Sequence, residues 1–273
     1  MTPLLTYQLG TAQPAASFAD GCLSSPTGVD RLVSPTGADR LNSPTGVDRL
    51  VSPTGAGVEA FTAGRDAVLP YPVIQGHQVH DCRIAVVDRP DLTREDLEGY
   101  DAFVTALPNV AVGVRTADCV PILLYDPVKR VVAAVHSGWK GTVLHIVRKA
   151  IDVMSQRFGT DVADLFAEIG PAIGPDSFQV GEEVVDRFQA AGFPMTAIWS
   201  FRGPGDGTPM SGGHHIDLWQ ANRWLLEQSG VTPGRIHITP LDTFTTPALF
   251  SARREGPACG RNINAIKLLP PTR

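Results

Sequence analysis

The chain has 273 residues, 43% of them hydrophobic, enough to bury a sizeable core in one large domain or two small ones. Its formal net charge of −5 argues against broad affinity for nucleic acid or anionic membrane, both of which favour a basic face. Four cysteines, Cys22, Cys82, Cys119 and Cys259, are too scattered for a Cys-x-x-Cys knuckle or a readable disulfide framework, so reduced thiols are expected.

The N-terminal residues lack a basic start followed by an apolar stretch, and no apolar run reaches membrane-spanning length, so a cytoplasmic location is the default expectation. Residues 25–60 carry a nine-residue repeat, Ser-Pro-Thr-Gly-x-Asp-Arg-Leu-x, in units beginning at Ser25, Ser34, Ser43 and Ser52, the last diverging after Gly55. Each unit holds too few apolar residues to bury a face against its neighbour. The expected organisation is a disordered, repeat-containing leader over 1–57 and a single catalytic domain over 58–273.

From Val58 onward, short apolar runs alternate with polar turns. The runs 83–87, 102–105, 110–114, 121–125 and 131–135 read as strands, several apolar on both faces, which implies a sheet covered on both sides. The clearest helix lies between Gly141 and Gly159, where Leu144, Val147, Ile151, Met154 and Phe158 recur at helical steps. Further helices are expected over 182–191 and from an Asp217 N-cap to Gly230, with strands at 235–239, near Phe250 and at 263–268. Without a strict βαβα rhythm, the fold class is α+β, with mixed sheets covered by helices.

Three clusters point to chemistry. Cys119, in Arg115-Thr116-Ala117-Asp118-Cys119-Val120-Pro121, and His136, in His136-Ser137-Gly138-Trp139-Lys140-Gly141, each sit at the end of an apolar run. A thiolate and an imidazole so placed suit a transition-metal ion, and His80 in Gln78-Val79-His80 is the best third ligand. Three such ligands leave a zinc ion one open position, the arrangement of a catalytic site. The neighbouring His77 and His80 are flanked by residues that favour a strand, so at most one should enter the site. The glycine turn after His136 offers backbone N–H groups to an anion. The third cluster brings Arg253, Arg254 and Arg261 together, and in strand geometry Arg253 and Arg254 face opposite ways, so that one is expected to bind a phosphate while the other meets solvent or an acid.

The ordered set of these motifs with Ile169-Gly170-Pro171-Ala172-Ile173-Gly174, Val180-Gly181-Glu182-Glu183-Val184, Asp217-Leu218-Trp219-Gln220-Ala221-Asn222 and Phe250-Ser251-Ala252-Arg253-Arg254-Glu255-Gly256 resembles the laccase-domain family. This family is also called the multicopper polyphenol oxidoreductase or peptidoglycan editing factor family. The resemblance implies a single α+β domain with zinc held by His80, Cys119 and His136. It further implies phosphorolysis of adenosine, inosine, guanosine and methylthioadenosine, and hydrolytic deamination of adenosine. On that reading Asp118, Cys119, Arg65 and Arg253 are catalytic, and Ser137, Gly138, Lys140, Arg254 and Arg261 bind substrate or phosphate. The partners are then a nucleoside and phosphate, with no nucleic acid and no membrane, and the oligomeric state is open. Copper with phenol oxidation, and a Cys119–His136 amidase acting on peptidoglycan precursors, are the alternatives; a binding module without turnover is the remaining one. Asp242-Thr243, where the family commonly has a cysteine nearby, and Gln179, where many relatives carry Glu, depart from the family pattern. The Ser-Pro-Thr-Gly repeat also stands where the family's usual N-terminal segment would be.

Overall fold

Two consecutive runs, Val120–Asp126 and Val131–Ser137, are buried at every position, because each faces helices on one side and a second sheet on the other. The computed structural model describes residues 5–6, 57–205, 207 and 212–271. The repeat units beginning at Ser25, Ser34 and Ser43 lie outside them, as does the expected leader apart from Leu5–Thr6 and Gly57.

In chain order the strands begin with β1 (Leu5–Thr6), β2 (Val58–Ala63), β3 (Ile84–Val86), β4 (Ala102–Thr105), β5 (Ala111–Thr116), β6 (Val120–Asp126) and β7 (Val131–Ser137). Helices α1 (Trp139–Val143) and α2 (Ile146–Phe158) follow, then β8 (Phe166–Ile169), β9 (Gln179–Val180), α3 (Glu182–Ala190), α4 (Met195–Ile198), β10 (Trp199–Arg202) and β11 (Gly213–Ile216). The chain continues with α5 (Leu218–Gln228), β12 (Ile236–Ile238), α6 (Ala252–Glu255) and β13 (Asn262–Leu268).

Three sheets result. A six-stranded mixed sheet runs β12-β8-β6-β7-β4-β3, parallel only at its two outer pairs. A four-stranded antiparallel sheet, β1-β2-β13-β5, packs against one face of it, and β10-β11-β9 form a third, smaller sheet. Side-chain alternation along the central strands sorts the core. Ile122, Leu124, Val131, Ala133 and Val135 meet α2 and α5, whereas Leu123, Tyr125, Val132 and Ala134 meet Val112, Val114 and Ile266 of the second sheet. The α+β reading from the sequence therefore holds, with mixed sheets and helices over one face.

The expected helix over 141–159 is instead two helices. His145 adopts a left-handed conformation at φ 57° between them, and Leu144, assigned to the apolar stripe, is 43% exposed. Beyond the break, Ile146, Val147, Ala150, Ile151 and Met154 form the buried face of α2, and left-handed Gly159 ends it. Asp217 caps α5 as expected, accepting the Gln220 N–H at 2.9 Å. The strand expected near Phe250 is absent, because the Ser251 hydroxyl accepts the Arg254 N–H and starts the single-turn helix α6. Arg253 and Arg254 are thus neighbours on a helical turn, not on opposite faces of a strand. Residues 70–80 form a loop with isolated bridges at Ile74 and His77, also in place of a strand.

Candidate metal centre

Antiparallel pairing of β6 and β7 builds the centre. Its register sets Val120 opposite Ser137 and Pro121 opposite His136, so Cys119, one residue before β6, lies beside the end of β7. Alternation along β7 turns His136 to the face shared by Val132 and Ala134, between the two large sheets. The third residue arrives on the 74–83 loop. Gln78 fastens that loop to β5 by a reciprocal pair of bonds, its Nε2 donating to Arg115 O at 2.9 Å and its Oε1 accepting the Arg115 N–H at 2.7 Å. Two residues on, His80 takes φ 62°, a left-handed turn uncommon outside glycine.

The ligand atoms of His80, Cys119 and His136 all lie within 4.8 Å of one another, a grouping that can hold a metal ion. The rings of His80 and His136 meet edge to face, with centroids 4.8 Å apart. His136 is buried, Cys119 half-buried and His80 exposed, so the cluster opens toward solvent on the His80 side. His77 stays outside, paired with Glu98 at 2.6 Å on the surface. One histidine of the His77/His80 pair therefore joins the cluster, through a loop geometry rather than through strand alternation.

Asp101, immediately before β4, organises all of this and was missed by sequence reading. It is wholly buried, and its Oδ1 accepts from His136 Nδ1 at 2.7 Å. The same carboxylate accepts the N–H groups of Val79, His80 and Asp81 at 3.0–3.1 Å. Its carbonyl takes the His136 N–H at 2.8 Å. The one available signal was an acid placed directly ahead of a fully apolar run.

These contacts set the protonation of the centre. Burial pushes the Cys119 thiol up, but the adjacent His136 charge, with hydrogen bonds from His136 and His80, brings it down to about 6. Burial lowers His136, yet the Cys119 thiolate and the Asp101 hydrogen bond outweigh it and raise the imidazole to about 9. Burial also opposes the charge on Asp101, but hydrogen bonds from His136 and the backbone of Asp81 and Val79 keep its carboxyl below the usual range. A soft thiolate beside two imidazoles, one fixed through Nδ1 by a buried carboxylate, is a donor set that fits zinc or copper. Gly138 leaves the space this requires, since a Cβ there would come within 2.7 Å of Cys119 Sγ and 3.4 Å of His80 Cδ2.

The other sequence candidates fall into two groups. Ser137 is wholly buried and bonded to Asn222 Oδ1 at 2.7 Å and Thr142 at 3.0 Å, behind the metal cluster. Asp118 accepts from Thr243 Oγ1 and from the Arg253 N–H, each at 2.7 Å, and so ties the Cys119 turn to α6. Arg254 donates to the carbonyls of Thr243, Phe244, Thr246 and Leu249, and Arg261 to those of Pro257, Cys259 and Gly260. Arg65 pairs with Glu255 at 2.7 Å across the ring of Phe250. These guanidinium groups hold the loops around the centre. Lys140 and Arg253 are exposed; Arg253 spends one donor on Gln179 O at 3.0 Å, and the Lys140 ammonium lies 5.7 Å from the Trp139 ring centroid. The departures from the family pattern also have local roles. Thr243 bonds Asp118, Asp242 receives Gly174 N–H and Ser177 Oγ, and Gln179 reaches the Gly212 carbonyl.

Fold and site together define an α+β protein with an open His–Cys–His metal centre at the edge of two packed sheets. Residues 62–269 match the family described as "Multi-copper polyphenol oxidoreductase laccase", and the chain belongs to that family. It is 43% identical over 176 residues to a protein named purine nucleoside phosphorylase from Bacteroides thetaiotaomicron, a match covering 64% of this chain and 63% of that relative, less than two thirds of its length. It is 38% identical over 204 residues to "Adenosine deaminase RL5" of an unknown prokaryotic organism, covering 71% of this chain and 74% of the other. Among solved structures it is similar to the Bacillus licheniformis hypothetical protein YfiH, with TM-score 0.65 and 31% identity over 72% of this chain and 74% of that one. Among the described residues, no helix is long and apolar enough to cross a membrane.

Proposed function

We propose that the protein is a zinc-dependent, cytoplasmic purine nucleoside phosphorylase that also deaminates adenosine. The observation that carries this reading is the His80–Cys119–His136 cluster in a chain 43% identical to a relative named for phosphorolysis and 38% identical to one named for deamination. Zinc held by these three residues would supply Lewis acidity at the open side of the cluster.

In phosphorolysis a phosphate oxygen takes the place of the purine at the ribose C1′, and the departing base gains a proton. Exposed Arg253 and Lys140 meet the phosphate from solvent, while Arg254, Arg261 and Arg65 keep the surrounding loops in register. Asp118, adjacent to Cys119 in sequence and anchored by Thr243 and Arg253, is the candidate for moving that proton. In deamination water adds at purine C6 and ammonia leaves. Asp101 holds His136 in one ring orientation throughout.

Metal identification on protein purified without added metal, followed by a nucleoside panel with and without phosphate, tests the reading. Zinc at one equivalent, phosphate-dependent release of hypoxanthine from inosine, and loss of both metal and turnover in Cys119→Ala are expected. Full inosine phosphorolysis by Cys119→Ala would overturn the scheme. The family description favours copper phenol oxidation as the second reading. Copper in place of zinc, with phenol turnover, would establish it. A Cys119 nucleophile would instead be acylated by an amide substrate in chelator-treated protein.

A further inference from the structure

Outside the metal centre, a second thiol and an amine are placed in contact. Lys149 Nζ lies 2.8 Å from Cys82 Sγ. That is as close as an N–H···O bond between first-row atoms, about 2.9 Å, although sulfur is the larger atom. The thiol is the side-chain hydrogen-bond partner of the Lys149 ammonium.

Neither partner is there by free rotation alone. Cys82 lies between Asp81, whose N–H is held by Asp101, and Arg83, whose carbonyl accepts the Asp101 N–H at 3.0 Å. Its side chain is half-buried against the main core. Lys149 projects from α2, whose orientation is fixed by Ile146, Val147, Ala150 and Ile151 on its buried face. The contact is reachable by small oxidants, since Lys149 is exposed and Cys82 partly so.

We propose that Cys82 and Lys149 form a reversible oxidative cross-link, a single oxygen atom bridging Sγ and Nζ. One dioxygen molecule is the oxidant. The amine loses one N–H bond and the thiol its S–H bond, N–O and O–S bonds form, and the two hydrogens leave with the second oxygen atom as water. Nitrogen and sulfur each give up two electrons, matching the four that dioxygen accepts. Two dithiol equivalents return the amine, the thiol and water, so the modification belongs to the reversible part of cysteine oxidation. Closed, the bridge fastens the segment that begins at His80 to α2; open, that segment is held by Asp101 and Gln78. The inference is independent of which substrate the metal centre takes.

Peptide mass mapping of the full chain, after exposure to air-saturated buffer and after reduction with dithiothreitol, tests it. The oxidised sample should contain the Cys82 and Lys149 peptides joined, at their summed mass plus one oxygen and minus two hydrogens, and dithiothreitol should separate them. Lys149→Arg, a surface change that keeps the charge, should abolish the joined species while leaving the fold intact. The oxidised wild-type protein should also show a higher Tm than the reduced one, a shift absent in Lys149→Arg. Cys82 found only as the free thiol, as sulfenic or sulfinic acid, or in a disulfide after the same exposure would overturn the proposal. So would a joined mass that persists in Lys149→Arg.

Discussion

Asp101 Oδ1 lies 2.7 Å from His136 Nδ1 and 3.0 Å from the His80 backbone nitrogen, so one carboxylate oxygen positions two of the three residues that could hold a metal ion. The ligands come from separate elements, and this buried group is where their placements meet. Asp101→Asn keeps the shape but removes the charge and presents an NH2 group where acceptors are needed. Loss of such a supporting partner typically costs about 10–100-fold in metal affinity. Competition with a chromogenic chelator should show a loss of that size, with turnover lost in parallel at limiting metal. Unchanged affinity would mean that the loop and His136 hold their positions without it.

Gly138 is predicted to tolerate no side chain while the cluster is intact. In Gly138→Ala the new methyl would sit 2.7 Å from Cys119 Sγ, and overpacking of about 1–3 kcal/mol would fall directly on the ligands. Far-UV circular dichroism should match the parent, whereas bound metal after dialysis should fall sharply. Full metal occupancy would contradict the placement of Cys119 against this turn.

Metal affinity should rise with pH. Above about 6 Cys119 is a thiolate and below about 9 His136 carries a proton, so between these values metal binding displaces one proton from the pair. Affinity then climbs about tenfold per pH unit across that window, and more steeply below it, where Cys119 is protonated too. Calorimetric titration in buffers of different ionisation enthalpy counts the released protons directly. Release of no proton at pH 7.5 would be inconsistent with an imidazolium beside the thiolate.

A second histidine, His237 in β12, links stability to pH. His237 donates to buried Glu168 across β12 and β8 at 2.6 Å, and that bond, against burial, raises the imidazole above 6.5. The stabilisation is fully present below pH 6.5 and fades as pH rises through the higher folded value. In His237→Gln the Tm should be lower than the parent's at acidic pH, with the two curves converging as pH rises. A constant offset across the range would assign the effect to packing instead.

Much of the frame was legible because strands buried on both faces leave continuous apolar runs between polar turns. The runs at 102–105, 121–125 and 131–135 became β4, β6 and β7 with shifts of no more than two residues at either end. Asp217 began one helix and Gly159 ended another where their chemistry predicts. The short strands β9 and β11 were missed, since Gln179, His214 and the glycines around them show no apolar alternation, and β10 was missed because its alternation spans only the four residues Trp199–Arg202. Cys119 and His136 were legible as candidate ligands because each is a soft or nitrogen donor at the end of a buried strand. Asp101 was not, since its role depends on non-local contacts to 79–81 and 136 that spacing does not encode. The same limit applies to Arg254, whose carbonyl partners at 243–249 appear only once Ser251 has turned the chain into α6.

The position of β13 has a consequence for biosynthesis. This strand, at residues 262–268, is inserted between β2 and β5, joining segments made about two hundred and one hundred and fifty residues earlier. On the ribosome, β2 and β5 emerge with an unfilled slot between them, and the sheet that backs the Cys119 turn cannot close until residues 262–268 have been made. The finished site therefore forms only after β13 has been made, and a chain stopped short of residue 262 exposes two strand edges facing a gap.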